Sequence, residues 1–148
     1  MNDKINEDIK NAMKSKDTFR LSVLRMLKSA LQMESIAKKH ELDDNEVISV
    51  IKKQVKLRRD SLDEYQKYGK TDSVESLKQE ITILSEYLPE EIGEEELLDI
   101  VNSIITELSA SSMKDMGRVM KTVNQRLDGK NADMSKVSQL VKTTLNNN

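Results

Sequence analysis

The stretch LPEEIGEEELL, Leu88–Leu98, holds the chain's only proline, then a glycine, then three glutamates in a row ahead of a leucine pair. Proline keeps the residue before it out of helical geometry, so a helix arriving from the N-terminal side ends here. Acidic residues suit the positive end of a helix, so Glu94, Glu95 and Glu96 announce a fresh one. The stretch therefore reads as a boundary between two helical domains, 1–88 and 89–148.

Composition supports helices on both sides. The 148 residues are 34% charged and 36% hydrophobic, with four Gly, one Phe, three Tyr and no Trp. Strands would ask for more β-branched and aromatic alternation, so the expected fold class is all-α: an N-terminal helical bundle and a C-terminal three-helix domain. A ~60-residue domain buries only about 60% of its surface, so each half is thinly stabilised. There is no cysteine, which excludes disulfides, thiolate metal sites and cysteine nucleophiles and is consistent with the cytosol. The opening MNDKINEDIK is polar, without the apolar run of a signal peptide or spanning helix, so a soluble cytoplasmic protein is expected. The net charge of −2 argues only weakly against nucleic acid, because a net value hides placement.

Upstream of the boundary, Ile5, Ile9, Ala12 and Met13 predict a helix over 3–16, and Asp17 is placed to cap a second one reaching about Lys39. In that second helix Val23, Leu24, Met26, Leu27, Ala30, Leu31, Met33 and Ala37 fill one wide arc, which makes it the most buried helix expected. Arg25, Lys28, Gln32 and Lys39 take the opposite side. Asp43 and Glu46 fit a capping box, starting a third helix near Asp44 that ends before Gly69. Its Val47, Ile48, Ile51, Val55, Leu62 and Tyr65 are apolar at helical spacing, while Lys52, Lys56 and Arg59 make an exposed stripe with Asp63. Asp72 and Glu75 repeat the capping signal for a fourth helix, carried by Val74, Leu77, Ile81, Leu84 and Leu88 up to Pro89.

Downstream, Leu97, Leu98, Val101, Ile104, Ile105 and Leu108 predict an amphipathic helix over 94–108, and DGKNAD at 128–133 separates two more. Residues 89–107 carry seven acids and no Lys or Arg, whereas 108–148 carry seven bases and three acids, so this half is electrically polarised. In ASSMKDMGRVMK, Ala110–Lys121, a helix from Met113 sets Met113, Met116, Val119, Met120, Val123 and Leu127 on one arc, with Lys114, Arg118, Lys121 and Gln125 opposite. A mid-helix glycine costs about 1 kcal/mol relative to alanine, so Gly117 implies a close helix crossing, the favoured reading, or a ligand backbone that approaches closely.

The serine run has three readings: a nucleophile, which lacks the glycine-rich setting of the amidase type; a cap, for which Ser112 suffices; and a phosphate seat beside Lys114. His40, the only histidine, stands at a helix end, where a dipole contact is expected instead of catalysis. The eight methionines read as core filler, with Met113, Met116 and Met120 as an alternative contact surface. No nucleotide loop, metal cluster or catalytic constellation is found, so no cofactor and no metal is expected.

FRLSVLRMLKSAL (19–31), LRRDSLDEY (57–65), EITILSEYLPEEI (80–92), ASSMKDMGRVMK (110–121) and the ending from Asn131 to Lys142 together resemble the YqeY family, small bacterial proteins of about this length. The resemblance spans nearly the whole chain. It implies an N-terminal helical domain and a three-helix domain similar to the tail of the B subunit of the tRNA-dependent amidotransferase, a tail that contacts tRNA. A related module is appended to some glutaminyl-tRNA synthetases. The family's GxVM is met by Gly117, Val119 and Met120, with Lys114, Arg118 and Lys121 at its basic positions. In the last loop the family places a basic residue directly before the alanine; here Asn131 precedes Ala132, and Lys130 stands one place earlier.

The resemblance and the basic stripe imply a tRNA-binding accessory module without chemistry of its own, touching RNA through Lys114, Gly117, Arg118, Lys121, Gln125, Lys130 and Lys142, with Lys136 nearby in sequence. Scarce aromatics favour structured RNA over stacked single strands. The alternatives are a part in a carbon–nitrogen ligase reaction with glutamine as amide donor, or a protein-interaction module. In the last case the N-terminal bundle or the acidic helix would dock an aminoacyl-tRNA synthetase or an amidotransferase subunit. No membrane partner is expected.

Overall fold

Short polar side chains cap the starts of three α-helices in the computed structural model, which describes residues 1–147. The helix α1, Asn2–Lys14, ends in a turn where Lys16 takes a left-handed φ of 59° and the Asp17 amide donates back to Ala12 at 3.0 Å. That bond closes the helix end by satisfying a late carbonyl. Asp17 then caps α2, Thr18–Lys38, accepting from the Arg20 amide at 3.1 Å. The box expected at Asp43 is complete: the Glu46 amide reaches Asp43 at 2.8 Å and the Asp43 amide reaches Glu46 at 3.1 Å, opening α3, Asp44–Lys67. His40 follows the α2 C-cap Lys39 and stands beside this box, its Nε2 3.4 Å from Glu46 and its Nδ1 2.8 Å from the Glu41 carbonyl.

The fourth helix, α4, Thr71–Ser85, departs from expectation at both ends. Gly69 adopts φ 69° and the Lys70 amide returns to Tyr65 at 3.1 Å, a turn so short that Lys70 becomes the N-cap and Asp72 falls inside the first turn. Asp72 there faces the positive helix end without capping it. The helix also stops four residues before Pro89. The amides of Glu86, Tyr87 and Leu88 bond three residues back at 3.3, 3.2 and 3.1 Å, a tightened turn that ends the helix ahead of the proline.

These four helices form one compact unit, Met1–Leu88. Leu24, Leu27, Val47, Ile51 and Leu84 lie at its centre, nearly or wholly without exposure. The buried stripe of α2 is narrower than its sequence suggests. Val23, Leu24, Leu27 and Leu31 are buried, whereas Met26, Met33 and Ala37 are exposed, because the neighbouring helices cover one side only. Met13 is likewise exposed. A polar lock joins α1 to the end of the unit: the buried Tyr87 hydroxyl donates to Asp8, the Lys4 ammonium sits 5.9 Å from the Tyr87 ring centroid, and Arg20 holds Glu86 at 2.8 Å. Burial, reinforced by Asp8, pushes the Tyr87 phenol well above its ordinary value. Arg58 is nearly buried, with Nε 3.7 Å from Glu80, an ion pair too long to be a hydrogen bond.

A second unit begins at Pro89. It holds α5, Glu94–Leu108; a 3-10 turn, Met113–Asp115; α6, Met116–Arg126; and α7, Met134–Asn146. Val101, Ile104, Val119, Val123, Val137 and Val141 are fully buried between the three helices, while Leu98, expected on the apolar face, is partly exposed. Among the described residues there are seven α-helices, no strand, and one isolated bridge between Glu91 and Asn131. No helix among them is long and apolar enough to cross a membrane.

Candidate nucleic-acid interface

The start of α6 is built around Asp115, a residue that no motif in the sequence singles out. The α5 helix ends at Ser109 in left-handed geometry (φ 52°), and the Ala110 amide donates to Ile105 at 3.0 Å, turning the chain sharply. Ser112 caps as expected, its hydroxyl accepting from the Lys114 amide at 3.4 Å. The resulting 3-10 turn makes the helix begin at Met116 instead of Met113, which leaves Met113 exposed and outside the core arc. The Asp115 carboxylate accepts from the Ser111 amide at 3.0 Å and pairs with Arg118 at 3.1 Å. The Ser111 amide, then Arg118, hold this carboxyl below the usual aspartate range. The amides read as a phosphate seat thus already face an internal anion.

Arg118 is also committed inward, donating to the Leu108 carbonyl at 3.1 Å. It ties the end of α5 to the start of α6 while half of its side chain stays in solvent. Lys114, Lys121 and Gln125 share the same stripe, spaced by seven and four residues, and are exposed. Among the described residues their side chains have neither an ion pair nor a hydrogen-bond partner. Arg126, off this stripe, is neutralised by Glu107 at 2.6 Å, and that guanidinium holds the Glu107 carboxyl below its ordinary value.

Gly117 corrects an expectation. It is the second residue of α6, not a mid-helix position, and a Cβ built there meets no heavy atom within 4 Å. No helix crosses at Gly117, so the favoured crossing is ruled out and the glycine faces open space beside Lys114 and Lys121. Gly117→Ala is expected to stabilise the unit by roughly 0.4–1 kcal/mol, because the added methyl restricts the unfolded chain without a clash. Thermal unfolding of the variant measures it.

Lys130 lies in the α6–α7 loop after Gly129 (φ 76°), and Lys136 and Lys142 are exposed on α7; none of the three shares the α6 stripe. Asn131, the departure from the family pattern, has a structural task. Its side-chain amide donates to the Pro89 carbonyl at 3.1 Å and its carbonyl accepts from the Ile92 amide at 2.8 Å, clamping the segment before α5 to the loop. Asn131→Ala removes only the first bond, for an expected loss of about 1 kcal/mol by chemical denaturation. Among the described residues no group of His, Asp and Glu side chains is arranged to hold a metal ion.

The sequence profile of the family described as "Yqey-like protein" matches residues 2–145. Three curated fungal proteins, each named altered inheritance of mitochondria protein 41, mitochondrial, are similar to the chain. The one from Pyrenophora tritici-repentis is 28% identical, over 93% of this chain and 77% of its own length. Those from Lachancea thermotolerans and Kluyveromyces lactis are 32% and 33% identical, over 73% and 72% of this chain and 59% and 60% of their own lengths.

Proposed function

The chain belongs to the Yqey-like protein family, and from that premise we propose that its second unit is a tRNA-binding module without chemistry of its own. The observation that carries the reading is the basic stripe at the start of α6: Lys114 in the 3-10 turn, with Lys121 and Gln125 on the helix, exposed and unpartnered around an open glycine. Unpaired ammonium groups on a rigid helix attract phosphates through counterion release, and the open glycine admits a sugar–phosphate backbone. Lys130 and Lys142 extend the interface on other elements, and Arg118 joins it with the exposed half of its guanidinium. Asp115 supports the division of labour, since its carboxylate fills the helix start and leaves phosphate to the lysines.

A carbon–nitrogen ligase role with glutamine as amide donor draws no support from Ser112, whose hydroxyl is engaged as a cap. An aminoacyl-tRNA synthetase or amidotransferase subunit is instead the class of enzyme to which such a module would present tRNA. The cysteine-free chain suits the cytosol. The fungal relatives carry a mitochondrial name, and mitochondria translate with tRNA as well. The test is a fluorescence titration with total tRNA and with a single-stranded control at several salt concentrations. Preference for tRNA, falling with salt, supports the reading; no binding at low salt refutes it. Gly117→Ala adds a sharper outcome, weaker tRNA binding in a protein that is no less stable.

A further inference from the structure

We propose that Asp128 is a modification site: its side chain closes onto the Gly129 amide and converts, without a catalyst, into an isoaspartyl linkage that loosens the loop between α6 and α7. Of the four glycines, Gly129 alone follows an aspartate, and none follows an asparagine. The reaction needs a free carboxyl group, a free main-chain amide directly after it, and no side chain there to crowd the approach. Asp128 is exposed, and among the described residues its carboxylate has neither a hydrogen bond nor an ion pair. The Gly129 amide has no hydrogen-bond partner among them either, although both neighbouring amides are engaged, Asp128 with the Gln125 carbonyl at 3.3 Å and Lys130 with that of Leu127 at 2.9 Å. Glycine stands there because the turn takes φ 76°, and it brings no Cβ to the site. Elsewhere the same chemistry is blocked. Asp60 and Asn102 each precede a small serine, but inside α3 and α5, where the helix ladder holds the serine amide.

In the first step the Gly129 nitrogen bonds to Asp128 Cγ. The amide proton and the carboxyl hydroxyl leave as water, and a five-membered succinimide ring closes. Water then opens the ring at either carbonyl. Attack at the main-chain carbonyl leaves Gly129 joined through the side-chain carbon, so the backbone becomes one atom longer. Buried Leu127 and Ala132 fix the two ends of the loop, and the added length falls on the residues between them. The Leu127–Lys130 bond spans the altered linkage directly. Beyond it, Asn131 holds the segment before α5 through the Pro89 carbonyl and the Ile92 amide, so the change reaches that clamp.

Ageing the full chain in warm, near-neutral buffer tests this, with protease fragments labelled by an isoaspartate-specific carboxyl methyltransferase and mapped by mass spectrometry. Label is expected at Asp128 at least tenfold above that at Asp60 or Asn102, with a transient form of the same fragment lighter by one water. Hydrogen exchange at the Ile92 amide is expected to quicken tenfold or more in the converted protein. Asp128→Ser, which cannot close the ring and removes no internal bond, is expected to age without either change. The proposal is overturned if Asp128 converts more than tenfold more slowly in the folded chain than in a peptide of residues 125–132, because the turn would then hold the two groups apart. Equal label at Asp60 or Asn102, or unchanged exchange at Ile92 after full conversion, overturns it as well.

Discussion

Changing Lys114, Arg118 and Lys121 together to alanine is expected to lower tRNA affinity about a hundredfold near physiological salt, the size reached if each screened surface charge contributes about 1 kcal/mol. The slope of log affinity against log salt is expected to fall by roughly one for each phosphate no longer neutralised. Arg118 requires separate treatment, because its guanidinium also holds the Leu108 carbonyl and Asp115. The Lys114→Ala, Lys121→Ala double variant removes two unpartnered charges and no internal bond, so its loss of affinity arrives without a loss of stability. Arg118→Ala is expected to weaken both. Unchanged tRNA affinity in the triple variant at moderate salt would remove the α6 stripe from the interface.

The sequence is most legible where a residue type forces a geometry. Asp17, the Asp43–Glu46 pair, Ser112 and the three glutamates before Leu97 announce helix starts because short polar or acidic side chains answer free amides. Helix ends are less legible. Gly69 advertises its left-handed turn, but Lys16, Lys39 and Ser109 adopt the same geometry without glycine, driven by the closing hydrogen bonds and not by any preference of their own. Burial on α2 is narrower than its apolar arc because periodicity reports the arc without saying how many neighbours cover it. At the candidate interface the basic stripe is visible as spacing. Asp115 is legible only through its i, i+3 relation to Arg118, a known pairing signal, and Gly117 misleads because sequence does not show what stands opposite a glycine.

Ile104→Ala is expected to be the most damaging single change to RNA binding that touches no RNA. Ile104 has no exposed surface, and truncating a buried isoleucine to alanine costs about 2–5 kcal/mol through lost transfer and the cavity left behind. The second unit has about 60 residues, for which a total stability of roughly 3–9 kcal/mol is ordinary. One truncation therefore consumes much of the margin, the stripe loses the rigid helix that aligns it, and tRNA binding falls with the folded fraction. Ile51→Ala is the matched control, since Ile51 is equally buried in the first unit and carries the same expected cost. Denaturant unfolding is expected to register both losses, with tRNA binding lost only in Ile104→Ala. Equal loss of binding in both variants would place the RNA interface, or the stability that supports it, in the first unit as well, and the basic faces of α2 and α3 would then have to carry part of the load now assigned to α6.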